Sequence, residues 1–263
     1  MSNRINKGIL IVSFGTSYEE TRIKTIDAFV ESVRTQYNDY YVYEAWTSRI
    51  IAGILMKRDG IYKQTVAEAL ELMINDGIEE VIIQPTHVIN GVENDIMINS
   101  ANKYKDKFQS IKFGSPLLSG NGDLTRVVDI MVDRFKGLDE ANEGVVLMGH
   151  GSTHINNSVY CALNRKFSEM GHDNFFVGTV EAWPDIDTII SEVKKTKLKK
   201  LYLIPFMMVA GDHANNDMAG DDDSWASRLE SEGYQVECIL EGLGENEAIR
   251  KLLVEHLITA IEG

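Results

Sequence analysis

The feature that most constrains this fold is that the chain repeats itself. GILIVSFGTS (8–17) is matched by GVVLMGHGST (144–153), which sets Phe14 against His150 and Gly15 against Gly151. YEAWTS (43–48) is answered by VEAWPD (180–185), pairing Glu44-Ala45-Trp46 with Glu181-Ala182-Trp183. IIQPTHVINGVEND (82–95) is answered by LIPFMMVAGDHANND (203–217) through Pro85 and Pro205, and that alignment puts Glu93 opposite His213. Three matches in one order at similar offsets predict a duplicated domain, because solenoid repeats recur on a much shorter period. The expected lobes are 1–138 and 139–263, joined near GLDEANEG (137–144).

Within each half, short apolar runs alternate with amphipathic stretches, the pattern of an α/β protein with a parallel sheet. GILIVS (8–13), EEVIIQ (79–84), GVVLMG (144–149) and KKLYLIP (199–205) read as strands buried on both faces. YYVYEAW (40–46), FFVGTVEAW (175–183) and YQVECIL (234–240) read as further strands. Helical patterns fall near 17–37, 61–76, 122–136, 185–196 and 245–262, and Ser17 with Glu20 fits a capping box. The expected fold class is α/β, two similar lobes, each a parallel β-sheet flanked by helices. Ligands of open parallel sheets bind beyond the carboxyl ends of the strands. The active site is therefore expected in the inter-lobe cleft.

With 263 residues, 44% of them hydrophobic, the chain can bury a substantial core. Its 40 acidic against 26 basic residues leave a net charge of -14, which argues against the basic face that nucleic acid requires. No stretch approaches a membrane span, and no signal-type segment opens the chain. Cys161 and Cys238 are too few for a disulfide framework or a four-sulfur metal site, and read as reduced core cysteines. A cytoplasmic protein is expected, without nucleic-acid or membrane partners and with homo-oligomerisation left open.

Each half opens with a strand, a glycine turn and a hydroxyl-rich stretch, SFGTSYEE and GHGSTHIN. Such turns are either ordinary strand-to-helix connections or places where helix N-terminal amides hold an anion. Neither is a Walker A loop, a G-x-G-x-x-G fingerprint or a G-x-S-x-G elbow. His150 stands at the end of a buried strand before a helix start, where the positive end of the dipole favours neutral imidazole, the form that binds metal or accepts a proton. His213 occupies the matching strand exit of the same half, and Glu93 its counterpart in the other. Two imidazoles and a carboxylate suit Co2+, Ni2+, Fe2+ or Zn2+ better than Mg2+ or Ca2+.

His87, six residues before Glu93, reads either as a contact to the site or as a satisfied loop histidine. His154, His172 and His256 read as surface or structural. If the chain is helical from His213, then Asp217 and Asp221 follow at i+4 and i+8 on one face. Such a ladder could pass a hydrated cation inward; the alternative is a solvated acidic helix start.

SFGTSY, INGVE, MGHGS, VEAWPDID, LIPFMMVAGDHANNDMAGDDDSW and GLGENEAIR together resemble the anaerobic cobalt chelatases of cobalamin biosynthesis, the sirohydrochlorin cobaltochelatases. The resemblance spans nearly the whole chain. It implies a class II chelatase with a two-lobed, ferrochelatase-like fold that needs neither ATP nor an organic cofactor. Co2+ is then the metal substrate and a tetrapyrrole, sirohydrochlorin, the organic one. Carried over residue by residue, the resemblance makes His150, His213 and Glu93 the catalytic and metal-binding residues. It implies that SFGTS (13–17) and EAWTS (44–48) line the tetrapyrrole cleft; with the residues read above, Ser13, Phe14, Gly15, Thr16, His87, Gly151 and Ser152 are the expected substrate contacts, and Asp217 and Asp221 the expected metal-delivery pair.

Because the implied substrate is a polycarboxylate and the chain is acidic, local donors must grip it; helix N-terminal amides together with Arg49, Lys57 and Arg58 are the expected ones. An iron or nickel chelatase and a non-catalytic metal or tetrapyrrole carrier are the alternatives. A histidine phosphatase is disfavoured, because Gly149 stands where that chemistry wants an arginine.

Overall fold

A run such as Ile9-Leu10-Ile11-Val12 has no polar face to offer water, so it makes a stable strand only when covered on both sides. In the computed structural model, which describes residues 6–139 and 141–263, this run is wholly buried within β1 (Lys7–Ser13). Around it the chain lays β2 (Tyr41–Trp46), β3 (Glu80–Pro85) and β4 (Ser110–Phe113), giving a parallel sheet in the order β2-β1-β3-β4. The covering helices are α1 (Glu19–Arg22), α2 (Ala28–Gln36), α3 (Arg49–Asp59), α4 (Val66–Asn75) and α5 (Val92–Asn102). A π-helical turn, Ile23–Asp27, joins α1 to α2.

The second unit repeats the scheme. It comprises α6 (Asn121–Arg134), β5 (Glu143–Gly149), α7 (Ser158–Glu169), β6 (Phe175–Thr179), α8 (Ile186–Val193), β7 (Lys200–Pro205), α9 (Trp225–Ser231) and β8 (Gln235–Cys238). Its sheet runs β6-β5-β7-β8, the same order as the first. Register confirms two of the three sequence matches. Val12 pairs with Pro85 and Met148 with Pro205, so the two prolines are equivalent. The third match is not structural. Ser13 pairs with Trp46, but its counterpart Gly149 pairs with Thr179, four residues before Trp183. Glu44 thus lies inside a strand, whereas Glu181 lies beyond the end of β6.

The compact units also differ from the expected halves. One comprises residues 1–119 with 244–263 and the other 120–243. The last helix, α10 (Glu247–Glu262), buries Ile249, Leu252, Leu253 and Leu257 and packs on β3 and β4. Lys112 Nζ anchors its end by donating to the Ile261 carbonyl at 3.1 Å. α6 in turn packs on α7, and the following Phe135 meets Phe175 and Tyr202 edge-on or tilted at ring-centroid distances of 6.2 and 6.0 Å. Apolar faces choose the sheet that can cover them, so chain order does not set the boundary.

Local signals explain several elements. Thr65 and Glu68 form a capping box at the start of α4, and the Asp185 carboxylate caps α8. The box expected at Ser17 does not form: α1 begins at Glu19 without any side-chain cap. The sequence pattern also passed over α3, in which only Leu55 is buried, and α5, whose buried face is Asn94, Met97 and Ala101. A stripe that narrow leaves little hydrophobic periodicity to read. Among the described residues no helix is long and apolar enough to cross a membrane.

The core of the second unit carries the candidate site. Val146 and Met148 of β5 pack with Ile186, Ile189, Ala214, Met218 and Trp225. Ala214 and Met218 belong to the turn that follows His213, so burying them fixes the backbone on which that histidine stands.

Candidate metal centre

A strand buried on both faces ends where polar residues begin, and in the second unit three ends of this kind converge. β5 delivers His150, the segment after β6 delivers Glu181, and the loop after β7 delivers His213. One ligand atom from each lies within 4.8 Å of the others. His150 Nδ1 is 3.9 Å from Glu181 Oε2, and His213 Nε2 is 3.9 Å from Glu181 Oε1. Nitrogen ligands of a first-row divalent ion sit about 2.0–2.1 Å from it, so ligand atoms about 3–3.5 Å apart would be ideal. All three side chains are partly open to solvent.

Hydrogen bonds decide which nitrogen is offered. His150 Nδ1 lies 2.8 Å from the Gly151 carbonyl, an acceptor only, so Nδ1 carries the hydrogen and Nε2 the lone pair. His213 Nδ1 lies 2.8 Å from an Asp217 carboxylate oxygen, so it too donates and leaves Nε2 as ligand. An acceptor behind each imidazole fixes its orientation and raises its basicity, as around most bound metals.

The glycines flanking His150 are required by space. A Cβ on Gly149 would lie 2.5 Å from the Tyr160 ring, and one on Gly151 would lie 2.8 Å from the Ala182 nitrogen. Gly151 also has φ of +87°, a region that L side chains rarely adopt. Beneath the turn, the buried Tyr160 phenol has its pKa pushed up to about 12 by desolvation. The first unit has the same device in a different form: Gly15, with φ of +103°, packs against the Trp46 ring.

His213 opens a π-helical turn, Ala214–Met218, with Asn216 and Asp217 exposed on it. π turns cluster at functional sites because the extra residue re-aims a side chain. Here the turn brings Asp217 back to His213. It ends before Gly220, so Asp221 lies beyond it in a bend and no i+8 ladder forms. A Cβ on Gly220 would strike the Asn216 carbonyl at 2.3 Å, which marks where the helix must stop.

Of the other residues singled out from sequence, most are committed to structure. Ser13 and Thr16 are buried; Thr86 Oγ1 donates to Ser13 Oγ at 2.9 Å, and Thr16 Oγ1 accepts from the Tyr18 amide at 3.2 Å. Phe14 is partly exposed. The amides after Gly151 are not free for an anion: Ser152 N–H donates to Asn157 Oδ1 at 2.9 Å and His154 N–H to Ser152 Oγ at 3.1 Å. α7 begins only at Ser158, so no helix N-terminus follows Gly151 directly. Arg58 spends its guanidinium on Asp59 and the Ser17 carbonyl, while Arg49 and Lys57 are exposed on α3.

Glu93 lies in the first turn of α5, in the first unit. Its Oε2 is buried and has no hydrogen-bond partner among the described residues, and the same holds for Asn94 Oδ1 and both ring nitrogens of His87. Burial holds the His87 pKa down to about 4, so this ring is neutral at pH 7.

Glu181 is the member of this cluster that sequence reasoning passed over. The signal was present in the EAW match, but the apparent partner Glu44 is a structural group. It accepts from Arg34 at 3.0 Å and from Lys63 at 3.3 Å, and Lys63 also lies 5.0 Å over the Trp46 ring.

Residues 7–262 match the family model described as cobalt chelatase (CbiK). The chain is 36% identical over 258 residues to a sirohydrochlorin cobaltochelatase of Salmonella typhimurium, covering 98% of this chain and 97% of that one. It is 32% identical over 267 residues to the sirohydrochlorin cobaltochelatase CbiKC of Nitratidesulfovibrio vulgaris, covering 98% and 91%. Among solved structures, SirB from Bacillus subtilis with Fe3+ is similar in fold, with a TM-score of 0.65, 14% identity and 98% of each chain covered.

Proposed function

The chain belongs to the cobalt chelatase (CbiK) family, and from that premise we propose that it inserts Co2+ into sirohydrochlorin, or its precursor precorrin-2, without ATP or an organic cofactor. The observation that carries the reading is the convergence of His150, Glu181 and His213, one ligand atom of each within 4.8 Å of the others, with Nδ1 of each imidazole beside an acceptor.

Insertion exchanges two protons for one ion: the macrocycle loses two pyrrole N–H protons and gains Co2+ on its four nitrogens. The ion must be held out of bulk water yet released to the ring. Three protein ligands in a partly open site meet both demands, whereas a closed four-ligand site would retain the ion. His150 and His213 hold it through Nε2, and Glu181 supplies a carboxylate that offsets its charge. Asp217 keeps His213 aligned during transfer. As the ion leaves, an imidazole regains its lone pair and can accept one pyrrole proton. Glu93, which the family resemblance makes a site residue, is the proposed acceptor of the other. A positioned acceptor contributes typically about 10²–10⁴-fold to rate.

The test is to mix purified protein with sirohydrochlorin and, separately, Co2+, Fe2+ or Ni2+, following the absorbance change of insertion. Catalysed insertion that collapses in His150→Ala and His213→Ala supports the reading. Stoichiometric uptake without turnover would make the protein a carrier instead, and faster insertion of Fe2+ or Ni2+ would reassign the metal.

A further inference from the structure

The three ligands of the metal centre come from three segments, each reaching its ligand beyond the end of its strand. β5 and β6 stay paired one step past their ends, through Val180 N–H to the Gly149 carbonyl and Glu181 N–H to the His150 carbonyl, both at 2.9 Å. The next link between these segments is a side chain. Asn157 Oδ1 accepts from Ser152 N–H at 2.9 Å, and Asn157 Nδ2 donates to the Trp183 carbonyl at 2.7 Å. Each bonded group lies two residues beyond a ligand: Ser152 beyond His150, Trp183 beyond Glu181.

The placement of this asparagine is informative. Asparagine at a helix start ordinarily caps the helix by accepting from an amide of the first turn. Asn157 stands at the start of α7 and makes no such cap. Both ends of its amide are spent on the two ligand-bearing segments. No other side chain of this length offers a donor and an acceptor side by side: aspartate lacks the donor, and alanine lacks both.

We propose that Asn157 is a positioning residue of the metal centre, tying the His150 turn to the Glu181–Trp183 segment and so setting the span between the two ligands. The proposal rests on the reading of His150, Glu181 and His213 as the Co2+ site. Partners one layer behind metal ligands typically change affinity by about 10–100-fold when removed.

The test is a Co2+ titration of the full chain, read both as affinity against a competing chelator and as the visible absorption spectrum of bound Co2+. Asn157→Ala should weaken binding by about 10–100-fold and alter the spectrum, because Glu181 is no longer held in the coordination sphere. Asn157→Asp, which keeps the acceptor for Ser152, should fall between Asn157→Ala and the unmodified protein. Thermal unfolding of both variants should stay cooperative with little change in midpoint. Wild-type affinity and spectrum in Asn157→Ala would overturn the proposal. So would loss of cooperative unfolding in both variants, which would make Asn157 a residue of the fold instead. His150→Ala run alongside separates the two readings: unchanged Co2+ binding there would remove the metal centre itself, and with it any such role for Asn157.

Discussion

The imidazoles of His150 and His213 meet edge to face, with ring centroids 4.7 Å apart and planes at 86°. Each has Nδ1 beside an acceptor, the Gly151 carbonyl for His150 and the Asp217 carboxylate for His213. His150→Ala and His213→Ala should each lower kcat/KM for insertion by about 10²–10⁴-fold. Glu181→Gln should raise the Kd for Co2+ by more than about tenfold, the lower end of what even outer partners contribute. Steady-state absorbance assays and Co2+ titrations measure both, and a Glu181→Gln protein that binds Co2+ normally would remove Glu181 from the ligand set.

Asp217 and Asp221 are separable. Asp217 accepts from His213 at 2.8 Å, whereas Asp221 lies past the end of the π turn. Asp217→Ala should raise the Kd for Co2+ by about 10–100-fold, while Asp221→Ala should leave it unchanged. Equal losses in the two variants would restore the acidic ladder as a route for the ion.

Gly151 tests the turn that carries His150. Alanine there must adopt φ of +87° and bring its Cβ to 2.8 Å from the Ala182 nitrogen. The backbone strain alone costs about 1–3 kcal/mol. Gly151→Ala should therefore lower stability to urea by at least that amount and weaken Co2+ binding as well. Gly171→Ala also has a positive φ but open space around the new Cβ; it should cost stability without touching the metal.

His87 should give the protein an acid-sensitive increment of stability. Its pKa falls from 6.5 to about 4 on folding because burial disfavours the charged ring. Between those values the unfolded chain binds the proton and the folded chain does not, so stability falls as pH drops from about 6.5 towards 4. The increment is on the order of 3 kcal/mol, fully present above pH 6.5. Urea unfolding at pH 7 and pH 4.5 should show a smaller acid loss for His87→Phe than for the unmodified protein. Parallel losses would mean that His87 is hydrated and titrates normally.

Glu93 should affect insertion and metal binding differently. If Glu93 acts as a proton acceptor, it contributes to the rate and not to the hold on Co2+. Glu93→Gln should lower kcat by about 10²–10⁴-fold with the Kd for Co2+ unchanged. A matching loss of Co2+ affinity would make it a metal ligand.

The duplication was legible because buried parallel strands must be continuously apolar, and GILIVS and GVVLMG say so in their composition. His150 and His213 were legible for the same reason: they stand where such strands run out. Their family motifs, MGHGS and VAGDHANND, named the chemistry. Glu181 was hidden by a coincidence of letters, since EAW recurs at positions that the strand register makes inequivalent. The unit boundary was hidden because α6 and α10 are amphipathic in either setting, and only packing selects the sheet each one covers.

The sequence by itself therefore determined the duplicated α/β class, most of the strands, and the two histidines as candidates; strand order and β4 came from the tertiary structure. The former depend on local composition and period, which survive in one dimension. Tertiary structure alone brought the Glu181 carboxylate to the two imidazoles and made the Asn157 tie between the segments after β5 and β6. Both depend on short distances between segments that separate strands bring together, and such contacts are short-ranged enough that no pattern along the chain encodes them.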